Sequence, residues 1–339
     1  MPGEGGQTAW FSALNAFEQQ ETQRQVEFKR RHWPDLCDGV WSKMPDRTYP
    51  HILPVGHLDK AFYPTIADAV VKYCEKEDIA LHSEVLNLRS SQACCFNVLF
   101  PLRGHPKLAM AVLAPILPGV TEVVSIDFEW TGPKELTEWL GEPKGGKRGQ
   151  NRTSIDAAIT WCDDRRSLLT LVEWKYTERA FGSCGGFNSP RNSNKSSCTL
   201  AGAFGSGCYL RDAHGRRYWQ LLEQAGIQPE QWKSRACPFI GPFYQLMRQY
   251  LVAAFCRQNG LADEAYVLAA TFRGNTSLRR VPGELLGGQQ TVEDSWNVGL
   301  AGVPPLRHCF VEDLVAAARN RQDLNDEEWL DYLHERYGV

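Results

Sequence analysis

Apolar positions recur at helical spacing near the start of the chain. Trp10, Leu14 and Phe17 stand at i, i+4 and i+7 within residues 8 to 31, and the opposite side is Gln-rich and ends in Lys29-Arg30-Arg31, which predicts an amphipathic helix. The period then breaks. Trp33 to Pro64 contains Pro34, Pro45, Pro50, Pro54 and Pro64 and reads as an extended connector, with Pro64 opening a helix over 65 to 77. Ser90 caps a helix that runs through Ala93, Cys94, Phe96, Asn97 and Leu99 to a stop at Pro101, and Pro106 opens another that reaches about Ala114. Beyond this the period shortens to two. Thr121 to Trp130, Arg152 to Trp161 and Ser167 to Tyr176 alternate and are rich in Val, Ile, Leu, Thr and Trp, so three successive strands are expected. A Gly-, Ser- and Cys-rich insertion over about 180 to 242 lacks strong periodicity; Phe243 to Gln258 is a helix, Ala265 to Phe272 a fourth strand, and the tail from Asp313 is helical and acidic. The order predicts an α/β fold with a core of helix, three-strand meander, helix and strand. It divides the chain into an N-terminal helical and Pro-rich extension (1–83), the core with its insertion (84–275) and a C-terminal extension (276–339).

Composition narrows the picture. Of 339 residues 43% are hydrophobic and 23% charged, the balance of a globular protein, and 37 Lys and Arg against 40 Asp and Glu give a net charge of −3, which excludes a uniformly basic binder of the histone type. The longest uncharged apolar stretch, Leu108 to Thr121, is interrupted by Pro115 and Pro118 and falls short of the roughly 20 residues of a membrane span. The start, Met1-Pro-Gly-Glu-Gly-Gly, has no basic or apolar leader, so a cytoplasmic protein without a membrane partner is expected, and its eleven cysteines are expected mostly as reduced thiols.

The chemistry concentrates on two adjacent strands. Alternation puts Ile155, Ala157, Ile159 and Trp161 on one face and Asp156 on the other, while Glu173 and Lys175, two apart, share a face. Between them lies the polar turn Cys162-Asp-Asp-Arg-Arg166. A hairpin with Asp164 and Arg165 as its loop residues sets Asp156 directly opposite Glu173, with Cβ atoms roughly 4.5 to 5.5 Å apart. Two carboxylates so close call for a cation between them, and hard oxygen ligands suit Mg²⁺ or Mn²⁺. Such an ion polarises a phosphodiester and acidifies a bound water, and Lys175 is placed to orient that water.

Asp156 on one strand and Glu173-Trp174-Lys175 at the end of the next resemble the signature of the PD-(D/E)XK, or restriction-endonuclease-like, nucleases. The resemblance covers about 84 to 275 and implies the core order given above, with Asp156 and Glu173 as metal ligands and Lys175 positioning the attacking water. It also implies a Gln and Tyr on the helix after Glu-x-Lys, matched by Tyr244-Gln245-Leu-Met-Arg-Gln-Tyr250 with a spacing one residue longer than the commonest form, and Gln245 would then steady the site. An early Glu near the metal is implied as well, for which Glu84 and Glu129 are both candidates. The wider pattern, from Ser90-Ser-Gln-Ala-Cys-Cys-Phe-Asn97 to Glu173-Trp-Lys-Tyr-Thr-Glu178, looks like a bacterial branch of these proteins. It implies cleavage of nucleic acid, DNA above all, in antiviral defence, with a homo-oligomer or a defence partner protein.

Two other Glu-x-Lys tripeptides, Glu27-Phe-Lys29 and Glu142-Pro-Lys144, end no strand and are expected to be dispensable. Basic residues for phosphate contact are expected in Lys144, Lys147, Arg148 and Arg152, in Arg191, Lys195, Arg211, Arg216 and Arg217 of the insertion, and in Arg273, Arg279 and Arg280. Cys184, Cys198, Cys208 and Cys237, spaced C-x13-C-x9-C-x28-C, would staple the insertion around zinc or an iron–sulfur cluster, with scattered free thiols as the other reading. Two alternatives to a nuclease remain in view: a nucleic-acid-binding or scaffold module of the same fold without catalysis, and a thiol hydrolase using Cys184 with His214.

Overall fold

A five-stranded mixed sheet organises the protein. The computed structural model describes residues 10–145, 152–199, 207–234, 236–281, 291–321 and 327–339. Apart from a two-stranded hairpin, β1 (Gly39–Trp41) and β2 (Met44–Tyr49), the strands are β3 (Glu122–Trp130), β4 (Ile155–Cys162), β5 (Ser167–Trp174), β6 (Glu264–Thr271) and β7 (Arg307–Phe310), in the order β3-β4-β5-β6-β7. β3, β4 and β5 form an antiparallel meander, and β5, β6 and β7 run parallel. A parallel pair needs a crossover, and the helix Phe243–Gln258 supplies it between β5 and β6.

Helices cover both faces, which is why β5 reads as an almost unbroken apolar run and is buried from Leu168 to Trp174. On one face Ala157, Ile159, Trp161, Val172 and Trp174 pack with the helices Ser91–Leu99, Pro106–Leu113, Val311–Arg319 and Glu327–Tyr337. On the other, Ala158, Leu171, Val267 and Ala269 pack with Phe243–Gln258 and with Leu210, Tyr218 and Trp232 of the insertion. Ile155 departs from the expected alternation and joins this second core beside Leu136 and Leu140. Sandwiched between sheet and insertion, Phe243–Gln258 is buried nearly all round and has only a weak amphipathic pattern.

The strand meander follows the predicted order, and the hairpin turn is fixed locally. The Asp163 carboxylate accepts the backbone N–H groups of Arg165 and Arg166, at 2.9 and 2.8 Å, and pairs with the Arg166 guanidinium. The helix expected over residues 8 to 31 is interrupted: residues 10–12 are helical on their own, and the long helix is Ala16–His32. It starts at Ala16, because Asn15 and Glu18 form a reciprocal capping box, the Asn15 Oδ1 accepting from Glu18 N at 2.9 Å and the Glu18 Oε2 from Asn15 N at 2.8 Å. Trp10 instead stacks on His51, with ring centroids 5.1 Å apart. The Pro-rich connector is extended as predicted but forms the β1–β2 hairpin, where Pro45 is tolerated on an exposed strand. β7 was not anticipated: four residues are too few to display a period. Among the described residues no helix is long and apolar enough to cross a membrane.

Candidate active site

The predicted register holds. Ala157 pairs with Val172 and Cys162 with Ser167, so the same ladder carried one step further sets Asp156 opposite Glu173. The neighbouring ladder adds a third acid: Phe128 pairs with Ala157 and Trp130 with Ile155, which puts Glu129 across from Asp156. Glu129, Asp156 and Glu173 therefore form one row across three strands. Glu129 has a φ of 47°, a left-handed backbone rare outside glycine, at the point where β3 ends. Its carboxylate accepts from Gln92 Nε2 at 2.6 Å and from Ser154 Oγ at 2.7 Å. Of the two early Glu candidates, Glu129 stands in the row. Glu84 accepts from Ser42, at the β1–β2 hairpin.

Glu173 is the most enclosed member, with a side-chain exposure of 1%. Lys175 pairs with its Oε1, Gln245 donates to the same oxygen, and Gln249 donates to Oε2. Lys175 is held in turn by its backbone, whose N–H donates to the Ala270 carbonyl at 2.9 Å and extends the β5–β6 ladder by one residue. Gln245 is braced from behind by the Gly182 N–H, which donates to its Oε1 at 2.6 Å. A Cβ at Gly182 would lie 3.1 Å from that oxygen, so a side chain there would press on the Gln245 amide. Asp156 Oδ2 accepts the Trp174 N–H at 2.7 Å.

Burial dominates the electrostatics. It pushes Asp156 well above the ordinary carboxylate range, with Glu173 and Glu129 adding to the shift and Lys175 opposing it. Glu173 is raised by the same burial against the pull of Lys175. For Lys175, burial favours the neutral amine, but Glu173 and Asp156 outweigh it and the ammonium is held beyond its usual range.

Gln249 escaped the sequence reading, although it lies four residues after Gln245 and hence on the same helix face. Tyr250, singled out with Gln245, points elsewhere: its hydroxyl donates to the Pro304 carbonyl at 3.0 Å and its ring packs on Trp296. Glu142, set aside as an unremarkable copy of Glu-x-Lys, is buried. It accepts from Thr153 N (2.7 Å), Thr153 Oγ1 (2.5 Å) and Tyr218 Oη (2.7 Å), with the Arg248 guanidinium 3.8 Å away, and so anchors the entry to β4 just before Asp156. Glu27 is exposed, as expected.

Three hard-oxygen carboxylates in a row fit Mg²⁺ or Mn²⁺ in donor type. Burial first, and then the neighbouring acids, raise Asp156 and Glu173, a strain that a cation would relieve, and Gln249 Oε1 is a buried acceptor without a partner. Among the described residues, however, no group of three or more His, Cys, Asp or Glu side chains is arranged so that it could hold a metal ion. The ammonium of Lys175 supplies the countercharge to Glu173, so a divalent cation would have to share that carboxylate with it.

The basic residues divide. Lys147 and Arg148 lie outside the described residues. Lys144 is exposed, 3.7 Å from Glu138, and Arg191 and Lys195 are exposed on the insertion. Arg152 Nε is buried without an acceptor. Arg211, Arg273 and Arg279 pair with Asp212, Asp313 and Glu293, and Arg216 is buried and donates to the Gly141 carbonyl at 2.9 Å, so these four are engaged within the protein. Arg89, which sequence reasoning missed, precedes the helix that carries Gln92. Its Nε is buried without an acceptor, its guanidinium lies 5.7 Å from the Trp10 ring, and Glu18, Tyr176 and Glu178 are the groups nearest in effect, while burial pulls its pKa down.

Cys184, Cys198, Cys208 and Cys237 are free thiols, Cys184 buried and the other three half-buried, and among the described residues no group of three or more His, Cys, Asp or Glu could hold a metal ion. Burial and these neighbours raise the Cys184 thiol, the opposite of the activation a nucleophilic cysteine needs, and the His214 ring packs edge-on against Tyr209.

A mixed sheet with this order, a crossover helix that reaches back to Glu173, and a row of acids beside a lysine define a restriction-endonuclease-like fold. Residues 7–338 match the family model described as "Restriction Endonuclease associating with ARP", and the chain belongs to that family. Comparison with curated proteins and with solved structures finds no match.

Three outcomes follow from this network, each measured by urea denaturation. Glu173→Ala strands the Lys175 ammonium in a buried site and should cost about 3–5 kcal/mol, whereas the double variant Glu173→Ala, Lys175→Met should recover most of it. Glu142→Ala unpairs Thr153, Tyr218 and Arg248 and should cost a similar amount, about 3–5 kcal/mol, while Glu27→Ala should stay within about 0.5 kcal/mol. In EDTA, stability should fall as the pH rises above the ordinary aspartate value of 3.8, because the raised pKa lets folded Asp156 keep its proton longer than the unfolded chain does. Asp156→Asn, which cannot titrate, should make that slope shallower.

Proposed function

We propose that this protein is a divalent-metal-dependent nuclease that hydrolyses phosphodiester bonds in DNA. The observation that carries the reading is the row Glu129, Asp156 and Glu173 on one face of the sheet, with Lys175 beside it. Asp156 and Glu173, with Glu129 completing the row, would hold Mg²⁺ or Mn²⁺. When bound, that ion would polarise the scissile phosphodiester and lower the pKa of a water molecule beside it.

The chain's own residues do the rest. Lys175, always cationic in this setting, orients the attacking water and offsets the negative charge that grows on the phosphoryl oxygens. Gln245 and Gln249 fix Glu173 from the crossover helix, so that one carboxylate faces the metal in a single orientation. Exposed Lys144, Arg191 and Lys195 would offer cations to a phosphate backbone. The description of the family as associating with ARP supports a partner protein, and its restriction-endonuclease character supports a role in defence against foreign DNA.

Labelled single- and double-stranded DNA and RNA, incubated with Mg²⁺, Mn²⁺ or EDTA, test the reading. Cleavage of DNA should require metal, vanish in Asp156→Asn and fall in Lys175→Ala through kcat without loss of metal binding. DNA binding without cleavage under any metal would identify a scaffold of the same fold instead, and hydrolysis in EDTA blocked by a thiol alkylator would point to Cys184.

A further inference from the structure

Between the helix Ala16–His32, the end of the β1–β2 hairpin and the segment that precedes the helix lies a cavity that the row of acids does not use. Its volume is about 320 Å³, within the range of roughly 300–1,000 Å³ common to small-ligand sites. The walls are apolar and mostly aromatic: Trp10, Phe11 and Tyr49, with Val26 and Pro50. The capping box that starts the helix at Ala16 leaves Trp10 outside it, free to pack across to the hairpin. There the indole is braced. One face stacks on His51 with the planes 8° apart and the centroids at 5.1 Å, and Tyr49 meets it edge-on at 5.2 Å. Tyr49 and His51 are both buried, so the aromatic wall is in place before any ligand arrives.

Three polar side chains complete the lining. Gln23, Glu27 and Arg30 stand at i, i+4 and i+7, on one face of the helix, and all three are exposed. Among the described residues none of them has a side-chain hydrogen bond or an ion pair, and Glu27 and Arg30 do not close on each other although they are three apart. An amide, a carboxylate and a guanidinium are therefore left open beside an aromatic wall. Such a combination suits a flat ring with a polar edge, whose face stacks while its edge forms hydrogen bonds.

We propose that this cavity takes an unstacked nucleobase, guanine by preference, from the strand that the protein binds. The class of ligand rests on the nucleic-acid substrate of the proposed function, and a short segment joins the cavity to the row of acids. The Arg89 guanidinium lies 5.7 Å from the Trp10 ring, and Arg89 stands three residues before Gln92, whose amide donates to Glu129 at 2.6 Å. The edge chemistry selects the base. Guanine carries two adjacent N–H donors on its Watson–Crick edge, which match the two oxygens of a carboxylate, whereas thymine presents one N–H between two carbonyls that a carboxylate repels. Glu27 supplies that carboxylate, Gln23 bonds the rest of the edge, and Arg30 takes the phosphate attached to the base. Glu27, which has no part in the row, finds its use here. A base already free of its stack enters at least cost, so single-stranded nucleic acid is the best ligand.

Binding to the full chain in EDTA, where the proposed reaction is silent, tests this. An oligothymidylate strand with one central guanine should bind about fivefold or more tighter than the all-thymine strand of equal length, the effect of one charge-assisted hydrogen bond gained. Val26→Trp, which fills the cavity, should erase that difference and keep the affinity for the all-thymine strand. If Val26→Trp does not fold, Glu27→Gln on the exposed helix face decides, and it too should erase the difference. Deoxyguanosine and thymidine 5′-monophosphates, followed by ligand-observed NMR, should show the same order. Equal binding of the two strands would overturn the proposal, as would a guanine preference that survives both variants. Binding of the free guanine nucleotide with no difference between the strands would also overturn it, by assigning the cavity to a soluble nucleotide. Failure of the nuclease reading shows separately, as a guanine preference in EDTA without cleavage under any metal.

Discussion

A carboxylate as enclosed as that of Glu173 cannot be buried alone. Transferring an unpaired charge into a protein interior costs several kcal/mol even after relaxation, and Asp156 and Glu129 in the same row add repulsion. The cost is met by one ammonium and two amides, Lys175, Gln245 and Gln249, each of which must arrive from a defined place in the fold. Lys175 arrives because the parallel ladder with β6 continues one residue past the strand, and the two glutamines arrive because the crossover helix packs over β6 and presents two residues one turn apart to Glu173. Architecture and electrostatics are therefore the same requirement seen twice: the sheet order that makes a crossover helix necessary also delivers the partners of Glu173.

How much of this could be read from the sequence depended on how far each contact could be counted. The β4–β5 pair is joined by a turn with two loop residues, so register follows from arithmetic, and the opposition of Asp156 to Glu173 was legible. The opposition of Glu129 to Asp156 was not. A long connection with its own helix, Lys134–Trp139, separates β3 from β4, and the ladder is interrupted between Val123 and Ser125, so no count along the chain fixes which residues meet. Gln245 was reached through resemblance, while Gln249 could have been found by asking which residue shares its helix face. Glu142 was misjudged because a tripeptide says nothing about burial. Its partners Thr153, Tyr218 and Arg248 come from three different parts of the chain. The start of the first helix was misplaced because apolar spacing was weighed ahead of the capping signal of Asn15 and Glu18.

The insertion, which the chain's periodicity leaves nearly blank, acquires a structural role from the contacts it makes. Leu210, Tyr218, Leu221, Leu222 and Trp232 build the second core against the crossover helix, and Gly182 at its beginning touches Gln245 directly. The residues that decide whether Glu173 is held correctly are thus distributed between a regular helix and an irregular loop. The loop gains order from outside its own sequence, through packing against the crossover helix.

Under the proposed function the row of acids takes a divalent cation, and Lys175 provides the countercharge in its absence. A crystal soaked in manganese, with diffraction recorded where manganese scatters anomalously, tests this. An anomalous peak is expected within coordination distance of Asp156 and Glu173, with Lys175 moved off the oxygen it now holds. Manganese bound elsewhere, with Glu173 still closed on Lys175, Gln245 and Gln249, would contradict it.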